Sequence, residues 1–284
     1  MKKKLLGLAI FSAVLLIAGA AWATAPGQSR EPAVVEPSGV TVTIPPHARQ
    51  IADGVFSLGN ALDPQSGQLV EGYAFVHYKD GKIKPGGGSA KPPTCYSYLA
   101  KGAKWKTVEP WVVNPTNTRG LSGDFVFGNL GYDISKWEDA ADGYVNGVEG
   151  WNILGNGEST SEVLEADMVA PDNKNEVYFA DISDPNVIAV TIVWGYFGGP
   201  IYARQLVEWD QVYDNVTFDW SSSGEAGKMD FENIATHELG HSVGMNDLYT
   251  STCSQETMYG YAALGEVIKQ TLNAGDIKGV NALY

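Results

Sequence analysis

The stretch that decides the fold of this chain reads His237-Glu238-Leu239-Gly240-His241-Ser242-Val243-Gly244-Met245-Asn246-Asp247. Histidines four residues apart on a helix lie on one face, one turn apart, so both imidazoles can reach the same zinc ion. Glu238 can then point at a water molecule that the metal activates and can accept its proton. The alternative is a solvated helix with two unrelated histidines. Because the chain has only four histidines, chance would produce this pentapeptide in roughly two of a thousand such sequences.

A glycine and an acidic residue follow the second histidine at intervals of three. Gly244 can adopt a positive φ and end the helix, and a turn there brings Asp247 back toward the metal as a third ligand. Two histidines and one carboxylate leave one position of a tetrahedral zinc open, as catalytic sites require. A competing arrangement takes the third ligand from a distant glutamate, as in thermolysin-like enzymes, and Glu266 is its candidate. The sequence favours Asp247 and leaves Glu266 open.

The full string H-E-x-x-H-x-x-G-x-x-D resembles the metzincin metallopeptidases, and within them the matrixin-like group. Met258, eleven residues after Asp247, looks like the methionine of the Met-turn, which runs beneath the metal in that clan. Matrix metalloproteases have histidine where this chain has Asp247, and the aspartate variant is similar to that of the snapalysins. The resemblance spans roughly residues 95–284, and only residues 237–261 are specific. It implies an α+β domain with a mixed twisted sheet, a long helix, a zinc-binding active-site helix, a Met-turn and a C-terminal helix.

The resemblance also implies how a substrate is held and cleaved. In metzincins an edge strand pairs with an extended peptide, and residues 205–213 are the candidate strand. Tyr259 and Tyr261, just after the Met-turn, would wall the pocket for the residue that follows the scissile bond. The implied reaction is hydrolysis of peptide bonds in proteins, with one catalytic Zn²⁺ and Glu238 as the general base.

Hydrophobic periodicity predicts the secondary structure on either side of the zinc motif. Residues 134–151 carry apolar side chains at three-four spacing, which predicts an amphipathic helix. Asp230 is placed to N-cap the zinc helix. Further predicted elements are strands at residues 68–78, 111–115, 177–180 and 187–197 and a last helix at residues 273–283.

The first residues have the features of an export signal. Lys2, Lys3 and Lys4 precede an apolar run over residues 5–21, and Ala21-Trp22-Ala23 fits the site that a signal peptidase reads. The alternative is an uncleaved anchor, because about 17 apolar residues are just long enough to cross a bilayer. We therefore expect a secreted protein, or a cell-surface protein if the anchor is retained.

Composition divides the remaining chain into two parts. Residues 24–46 are rich in Pro, Ser, Thr and Gly, and residues 84–93 form a Gly- and Pro-rich stretch that reads as a hinge or a cleavable boundary. We expect a signal peptide at residues 1–23, a linker and small N-terminal region or propeptide at residues 24–93, and a zinc metallopeptidase domain at residues 94–284.

The cysteines form an even pair. Outside the cytosol Cys95 and Cys253 favour a disulfide over two free thiols. The alternative is that Cys95 blocks the zinc as a thiolate. The surrounding Pro92-Pro93-Thr94-Cys95-Tyr96 is not the propeptide string of the matrix metalloproteases, so the disulfide is favoured.

Charge narrows the range of partners and cofactors. Because 33 Asp and Glu outnumber 19 Lys and Arg, for a formal net charge of -14, nucleic acid is not an expected partner. Calcium is a candidate second cofactor, since four aspartates stand in loop-like contexts, although no spaced calcium-loop motif is present. Those aspartates are Asp167, Asp172, Asp181 and Asp184.

Taken together, the sequence predicts a monomeric, exported zinc endopeptidase that acts on proteins or peptides and has no contact with a membrane after signal cleavage. The alternative is a zinc-holding extracellular binding or adhesion protein without proteolytic activity. The intact Glu238 favours the enzyme, because a protein that only holds zinc has no need of a general base beside the first ligand.

Overall fold

One mixed β-sheet organises the described part of the chain, which in the computed structural model comprises residues 40–79, 94–148 and 150–284. Contacts divide the chain into residues 1–34 and 35–284, and all described residues belong to the second unit. The predicted signal peptide therefore lies outside the described residues. No helix among the described residues is both long and apolar enough to cross a membrane.

Ten of the described strands form this sheet, and two more form a short separate ladder. The ten-stranded sheet has the order β2-β3-β4-β8-β9-β7-β5-β6, with β1 added to β7 and β12 added to β4. The pairings from β2 to β9 are antiparallel, and those from β9 to β6 are parallel. The strands are β1 (Thr41–Val42), β2 (Arg49–Ala52), β3 (Val55–Leu62), β4 (Leu69–Lys79), β5 (Trp111–Asn114), β6 (Gly157–Ser159), β7 (Asn175–Ile182), β8 (Val187–Tyr196), β9 (Gln205–Asp214), β10 (Trp220–Ser221), β11 (Met229–Asp230) and β12 (Tyr261–Ala262).

Three α-helices accompany the sheet in the described residues: α1 (Gly123–Ala140), α2 (Phe231–Ser242) and α3 (Ala274–Leu283). Apolar side chains of α1 and α2 pack with β8 and β9 in one core cluster, which includes the fully buried Trp137, Val193 and Tyr213. A second cluster, which includes Val190 and Trp194, lies apart from it on the same strands. The middle of the sheet is therefore buried on both sides, and the α+β fold expected from the sequence is confirmed.

The long helix lies earlier in the chain than predicted. It begins where the side chain of Ser122 accepts a hydrogen bond from the backbone N–H of Phe125, and it ends at Ala140 rather than near residue 151. Gly143 and Gly147 have positive φ angles, so the chain turns repeatedly after the helix. The prediction of a helix over residues 134–151 was wrong at both ends. The helix does not continue to residue 151 because the apolar side chains after residue 143 are exposed and do not form a packed face.

The strand predicted to lie at an edge is internal. β9 has β8 on one side and β7 on the other, so the expectation that residues 205–213 offer a free edge to a substrate was wrong. The alternation of acidic and apolar residues in this strand is typical of an exposed face. In the structure, however, Glu208 and Asp210 are buried, and the strand has no solvent-facing side at that point.

Residues before the predicted boundary at residue 93 are part of the same sheet. β3 and β4 form an antiparallel pair, and β4 continues the sheet by pairing with β8 from Glu71 opposite Gly195 to Tyr78 opposite Val187. The ten-stranded sheet therefore contains strands from both sides of the predicted boundary.

A disulfide joins Cys95 to Cys253 across 158 residues, with 5.4 Å between their Cα atoms. Cys253 lies in a short 3₁₀ turn, Ser251–Cys253. The bond ties the first described residues after the hinge to the region between the zinc motif and α3, and Cys95 therefore has no free thiolate.

Candidate metal centre

Helix α2 carries the two motif histidines into the protein interior. The side chain of Asp230 caps the helix by accepting a hydrogen bond from the backbone N–H of Asn233 at 2.9 Å, as predicted. His237 and His241 are buried one turn apart, with ring centroids 4.9 Å from each other. The local sequence therefore places two imidazoles side by side.

The chain reverses direction after α2 and returns an aspartate to these rings. Gly244 has φ of 102°, and a Cβ at this position would lie 2.9 Å from the carbonyl oxygen of Ala103, so both backbone conformation and space require glycine. Beyond this turn, Oδ1 of Asp247 lies 3.2 Å from Nε2 of His237 and 3.5 Å from Nε2 of His241. Three motif side chains thus converge on one point.

Backbone carbonyls fix the orientation of both histidines. Nδ1 of His237 lies 2.7 Å from the carbonyl oxygen of Thr257, and Nδ1 of His241 lies 3.1 Å from that of Met245. Because Nδ1 must carry the proton to donate to a carbonyl, each Nε2 presents its lone pair toward Asp247. The hydroxyl of Tyr249 donates to Oδ2 of Asp247 at 3.0 Å, which turns Oδ1 toward the two rings.

The residues present fit a zinc ion. Candidate ligand atoms of His237, His241 and Asp247 all lie within 4.8 Å of one another. Nε2 of His237 and Oδ1 of Asp247 are buried and have no hydrogen-bond partner, which would be costly unless a cation joined them. Two imidazoles and one carboxylate form the donor set of a catalytic zinc site with one open position.

Glu266, the alternative third ligand, lies in a different set of contacts. Its Oε1 lies 3.1 Å from Nζ of Lys269, and its Oε2 accepts a hydrogen bond from the backbone N–H of Ala263 at 3.2 Å. It belongs to none of the candidate metal-binding groups among the described residues. The geometry favours Asp247.

The carboxylate of Asp247 and the neutral ring of His237 suit a cation. Burial lowers the pKa of His237 to about 4, which keeps this ring neutral and able to ligate. Burial would raise the pKa of Asp247, but the two histidines outweigh it and hold that pKa well below its usual range. For His241, the carboxylate of Asp247 outweighs burial and raises the pKa. The centre therefore provides a fixed negative charge beside one neutral imidazole.

Glu238, the predicted general base, is buried beside this centre. Its Oε2 accepts a hydrogen bond from Oγ1 of Thr191 on β8 at 2.6 Å. Its Oε1 lies 2.8 Å from Nδ1 of His77 on β4. Burial raises the pKa of the Glu238 carboxyl, which makes it a better proton acceptor than an exposed glutamate.

Met258 lies in the interior against the zinc helix. It is fully buried, and a Cβ on Gly240 of α2 would overlap its sulfur. The backbone N–H of Leu248 donates to the carbonyl of Met258 at 2.8 Å, which joins this turn to the segment that carries Asp247. The close approach of the Met258 sulfur to α2 explains why position 240, so near the candidate ligands, is a glycine.

The two tyrosines predicted to wall a pocket lie close together near the end of β4. The rings of Tyr259 and Tyr261 have centroids 5.8 Å apart, and the ring of Tyr261 lies 5.2 Å from that of Tyr249. Tyr261 pairs in β12 with Tyr78 of β4. Tyr261 thus lies next to β4, and Tyr259 contacts its ring; that they wall a substrate pocket stays a prediction.

Sequence reasoning missed four residues that contact the centre: Phe75, His77, Thr191 and Tyr249. Three of them are on strands distant in sequence, and no local spacing connects them to the zinc motif. Tyr249, two residues after Asp247, could have been recognised as a polar neighbour of a predicted ligand. For Phe75 and His77 the sequence offered one indication. Residues two apart on a strand share a face, so both side chains were expected on the same side of their strand.

Of the four aspartates considered for calcium, one belongs to a buried acidic cluster. Asp167 groups with Glu208 and Asp210, whose carboxylate oxygens all lie within 4.8 Å of one another. Asp172 pairs with Lys174 at the surface. Asp181 accepts a hydrogen bond from Thr41, and Asp184 accepts bonds from Asn186.

Comparison with known proteins agrees with this geometry. The family model of the matrixin peptidases matches residues 174–284. This part of the chain is matrixin-like. The matched segment contains the zinc motif and Met258, so the resemblance drawn from the sequence is confirmed and indicates a metallopeptidase. No curated protein matches the chain. β4 and α1 lie before the matrixin-like segment.

Proposed function

We propose that this chain is a zinc-dependent endopeptidase that hydrolyses peptide bonds in proteins. The observation that carries the proposal is the convergence of His237, His241 and Asp247 within 4.8 Å, beside a buried glutamate on the same helix. The ligands are fixed by carbonyls and by Tyr249. A preorganised set of this kind suits catalysis better than an incidental cluster of polar residues would.

Each residue of the centre has a distinct part in the proposed reaction. Zinc, when bound, polarises the peptide carbonyl and lowers the pKa of water from 15.7 toward about 7. The carboxylate of Glu238 accepts the proton of the attacking water and then delivers it to the leaving amine nitrogen. Thr191 orients that carboxylate through Oε2. Tyr259 and Tyr261 are proposed to contact the substrate side chain that follows the scissile bond.

We further propose that the enzyme is secreted and acts as a monomer. The charged and apolar segments of residues 1–23 support an export signal, and the disulfide between Cys95 and Cys253 suits an oxidising compartment. In this proposal residues 24–93 precede the peptidase domain at residues 94–284 and contribute β3 and β4 to its sheet.

The test is an assay of the zinc-loaded protein on an unfolded protein substrate, before and after the chain is cut within residues 84–93. Cleavage should disappear with a chelator, return with zinc, and be absent in Glu238→Ala. Glu225→Ala is the matched control, because Glu225 is an exposed glutamate paired with Lys228, and it should leave activity unchanged. Activity that persists in chelator or in Glu238→Ala would refute the mechanism.

One further outcome of the same assay would favour the other function class. If the protein binds one equivalent of zinc but neither the intact nor the cut chain cleaves any substrate, a zinc-holding binding or adhesion protein becomes the better description. A chain that binds no zinc at all would refute both.

A further inference from the structure

Strand β4 covers the metal centre from the side of the sheet. It pairs with β8 over eight residue pairs, from Glu71 opposite Gly195 to Tyr78 opposite Val187. At its end it pairs in parallel with β12, which follows Met258 in the chain. The long edge of β8 that faces away from β9 is therefore already occupied by the chain itself.

Two side chains of this strand lie directly on the metal-binding histidines. The ring of Phe75 stacks on His241 with centroids 4.2 Å apart. The ring of His77, two residues further on the same face, lies 4.0 Å from that of His237. Phe75 and His77 are both almost completely buried, so this face of both ligand rings is closed to solvent and to a substrate.

His77 also contacts the carboxylate of Glu238, the proposed general base. Nδ1 of His77 lies 2.8 Å from Oε1 of Glu238, and Oε2 of Glu238 already accepts a hydrogen bond from Thr191. When Nδ1 donates to the carboxylate, the lone pair of the ring resides on Nε2. Nε2 of His77 is buried and has no hydrogen-bond partner. A ring nitrogen of His77 also lies within 4.8 Å of a ring nitrogen of His237 and a carboxylate oxygen of Glu238.

We propose that β4 is an autoinhibitory strand and that His77 ligates the zinc through Nε2 while Nδ1 engages Glu238. This proposal rests on the proposed function. The imidazole would take the place of the water that the peptidase needs, on the metal and on the general base at once. The strand closes the same space to a peptide, so the intact chain is latent until β4 is displaced.

Displacing β4 requires more than breaking one contact. Phe75 is part of the core around α2, whereas Val70, Ala74 and Val76 belong to the core on the other face of the sheet. Burial of such side chains stabilises the strand in place, and a full ladder joins it to β8. A cut in the Gly- and Pro-rich residues 84–93 would separate β4 from residues 94–284 and convert its docking into a reversible association.

The first test examines the ligand without using activity. The full chain is loaded with Co²⁺, and its visible absorption spectrum and the rate of metal removal by a chelator are compared for wild type, His77→Phe and His47→Phe. His77→Phe keeps a ring in the buried space but removes both nitrogens. His47 is an exposed histidine of the same N-terminal region, which makes His47→Phe the matched control.

We expect a changed spectrum and at least about tenfold faster metal removal in His77→Phe, with His47→Phe indistinguishable from wild type. If wild type binds one equivalent of Co²⁺ and His77→Phe matches it in both measurements, the ligand role is refuted while the proposed function stands. If wild type binds no metal, the proposed function fails first. Should His77→Phe not fold, X-ray absorption of the zinc-loaded wild type decides between three nitrogen ligands, as proposed, and two.

The second test addresses latency. A recognition site for an unrelated protease replaces Gly86–Gly87–Gly88–Ser89 in the full chain, and peptide hydrolysis is measured before and after the cut. We expect at least about tenfold faster hydrolysis after cutting. An intact chain as active as the cut chain would overturn the autoinhibitory role of β4 without affecting the zinc assignment.

A separate observation carries a second inference. Asp167, which is half-buried, forms an acidic cluster with the buried Glu208 and Asp210, and in this cluster Oδ2 of Asp167 and Oε1 of Glu208 have no hydrogen-bond partner. Glu208 is completely buried. Among the described residues, no lysine, arginine or histidine forms an ion pair with any of the three. Two buried carboxylates beside a half-buried third are costly without a cation.

The surroundings hold the cluster in a fixed shape. The backbone N–H of Asp167 donates to Oδ2 of Asp210 at 2.9 Å, and the backbone N–H of Asn173 donates to Glu208. The indole N–H of Trp194 donates to the carbonyl oxygen of Asp167 at 2.7 Å. The loop before β7 is thus tied to β9 and β8 around oxygen atoms only, which is the donor set that calcium prefers over zinc.

We infer that this cluster binds Ca²⁺. The test titrates Ca²⁺ and Tb³⁺ into the zinc-loaded full chain, comparing wild type with Glu208→Gln and with Asp219→Asn, an exposed aspartate outside the cluster. Calcium should raise the melting temperature of wild type and of Asp219→Asn by several degrees, and Tb³⁺ should show tryptophan-sensitised emission through the nearby Trp194. Glu208→Gln should lose both responses.

Two results would overturn the calcium site. One is a wild-type protein whose melting temperature ignores calcium and which gives no sensitised Tb³⁺ emission; the carboxylates would then share protons instead. The other is a Glu208→Gln variant that retains both responses. If Glu208→Gln does not fold, the wild-type titrations decide alone.

Discussion

Nδ1 of His77 lies 2.8 Å from Oε1 of Glu238, although 161 residues separate them in the chain. The contact joins a strand near the N-terminus to the zinc helix and places a histidine against the residue expected to act as general base. Pairing of β4 along β8 holds His77 in the position from which it makes this contact. The metal centre is therefore built from both ends of the described chain.

Asp247→Ala should bind zinc more weakly than wild type, whereas Glu266→Ala should match wild type. Asp247 supplies the only carboxylate oxygen near both histidine Nε2 atoms in the described residues, and Glu266 pairs with Lys269 instead. Bound zinc per chain, measured after dialysis against a weak chelator, distinguishes the two variants. Full retention of zinc in Asp247→Ala would contradict the assignment of the third ligand.

Tyr249→Phe should weaken zinc binding by about tenfold or more, because the hydroxyl no longer donates to Oδ2 of Asp247. The ring itself remains to fill the space beside Tyr261, so the fold should be retained. Competition with a colorimetric chelator measures the affinity. Tyr202→Phe, at a tyrosine that is 83% exposed, is the control and should match wild type; an equal affinity in all three proteins would remove Tyr249 from the centre.

Gly240→Ala should lower the free energy of unfolding by about 1–3 kcal/mol. The new Cβ would overlap the sulfur of Met258 and lie 2.7 Å from the ring of Trp137, which outweighs the usual gain of about 1 kcal/mol from alanine in a helix. Gly128→Ala on α1 is the matched control, because its Cβ would meet nothing within 4 Å. Urea unfolding measures both, and a stabilised Gly240→Ala would show that Met258 does not pack there.

Without calcium, stability should fall as the pH rises through the neutral range. Burial, together with the charges of Asp210 and Asp167, raises the pKa of Glu208 to about 10. From about pH 4.5 to about pH 10 the folded state thus keeps a proton that the unfolded state has released. The free energy of unfolding should therefore decrease with pH, and Glu208 alone contributes at most about 1.4 kcal/mol per unit to that decrease.

The pH dependence of stability can be tested with two controls, the Glu208→Gln variant and added calcium. Denaturant unfolding at pH 6, 7, 8 and 9 with a calcium chelator measures the slope. Glu208→Gln cannot exchange that proton and should have a flatter profile, and saturating calcium should flatten the wild-type profile as well. Identical slopes for wild type and Glu208→Gln would show that Glu208 is not the group that holds the proton.

The convergence of His237, His241 and Asp247 was predictable from sequence because its geometry is local. His237 and His241 are one helical turn apart, and Gly244 permits the reversal that returns Asp247 within three more residues. Eleven consecutive residues, 237–247, hold all three proposed ligands and the proposed general base. The cap at Asp230 and the last helix follow from equally short patterns.

Predictions failed where burial depended on distant neighbours. Residues 205–213 alternate like an exposed edge strand, but Glu208 and Asp210 face other carboxylates in the interior. The apolar residues after Gly143 have helical spacing, yet nothing packs against them. Local alternation reports which residues share a face and does not report what covers that face.

The sequence by itself determined that His237, His241 and Asp247 converge beside Glu238, because this depends on spacing within one helix and one turn. The zinc ion and the reaction class are predictions from the chemistry of these residues. Only the tertiary structure decided which strand covers β8, where His77 lies and how the acidic cluster closes. Those features arise from strand order and register, through which residues separated by more than a hundred positions come into contact. Pairing of β4 with β8 is stabilised by the whole sheet and its two cores, and no short segment of the chain encodes it.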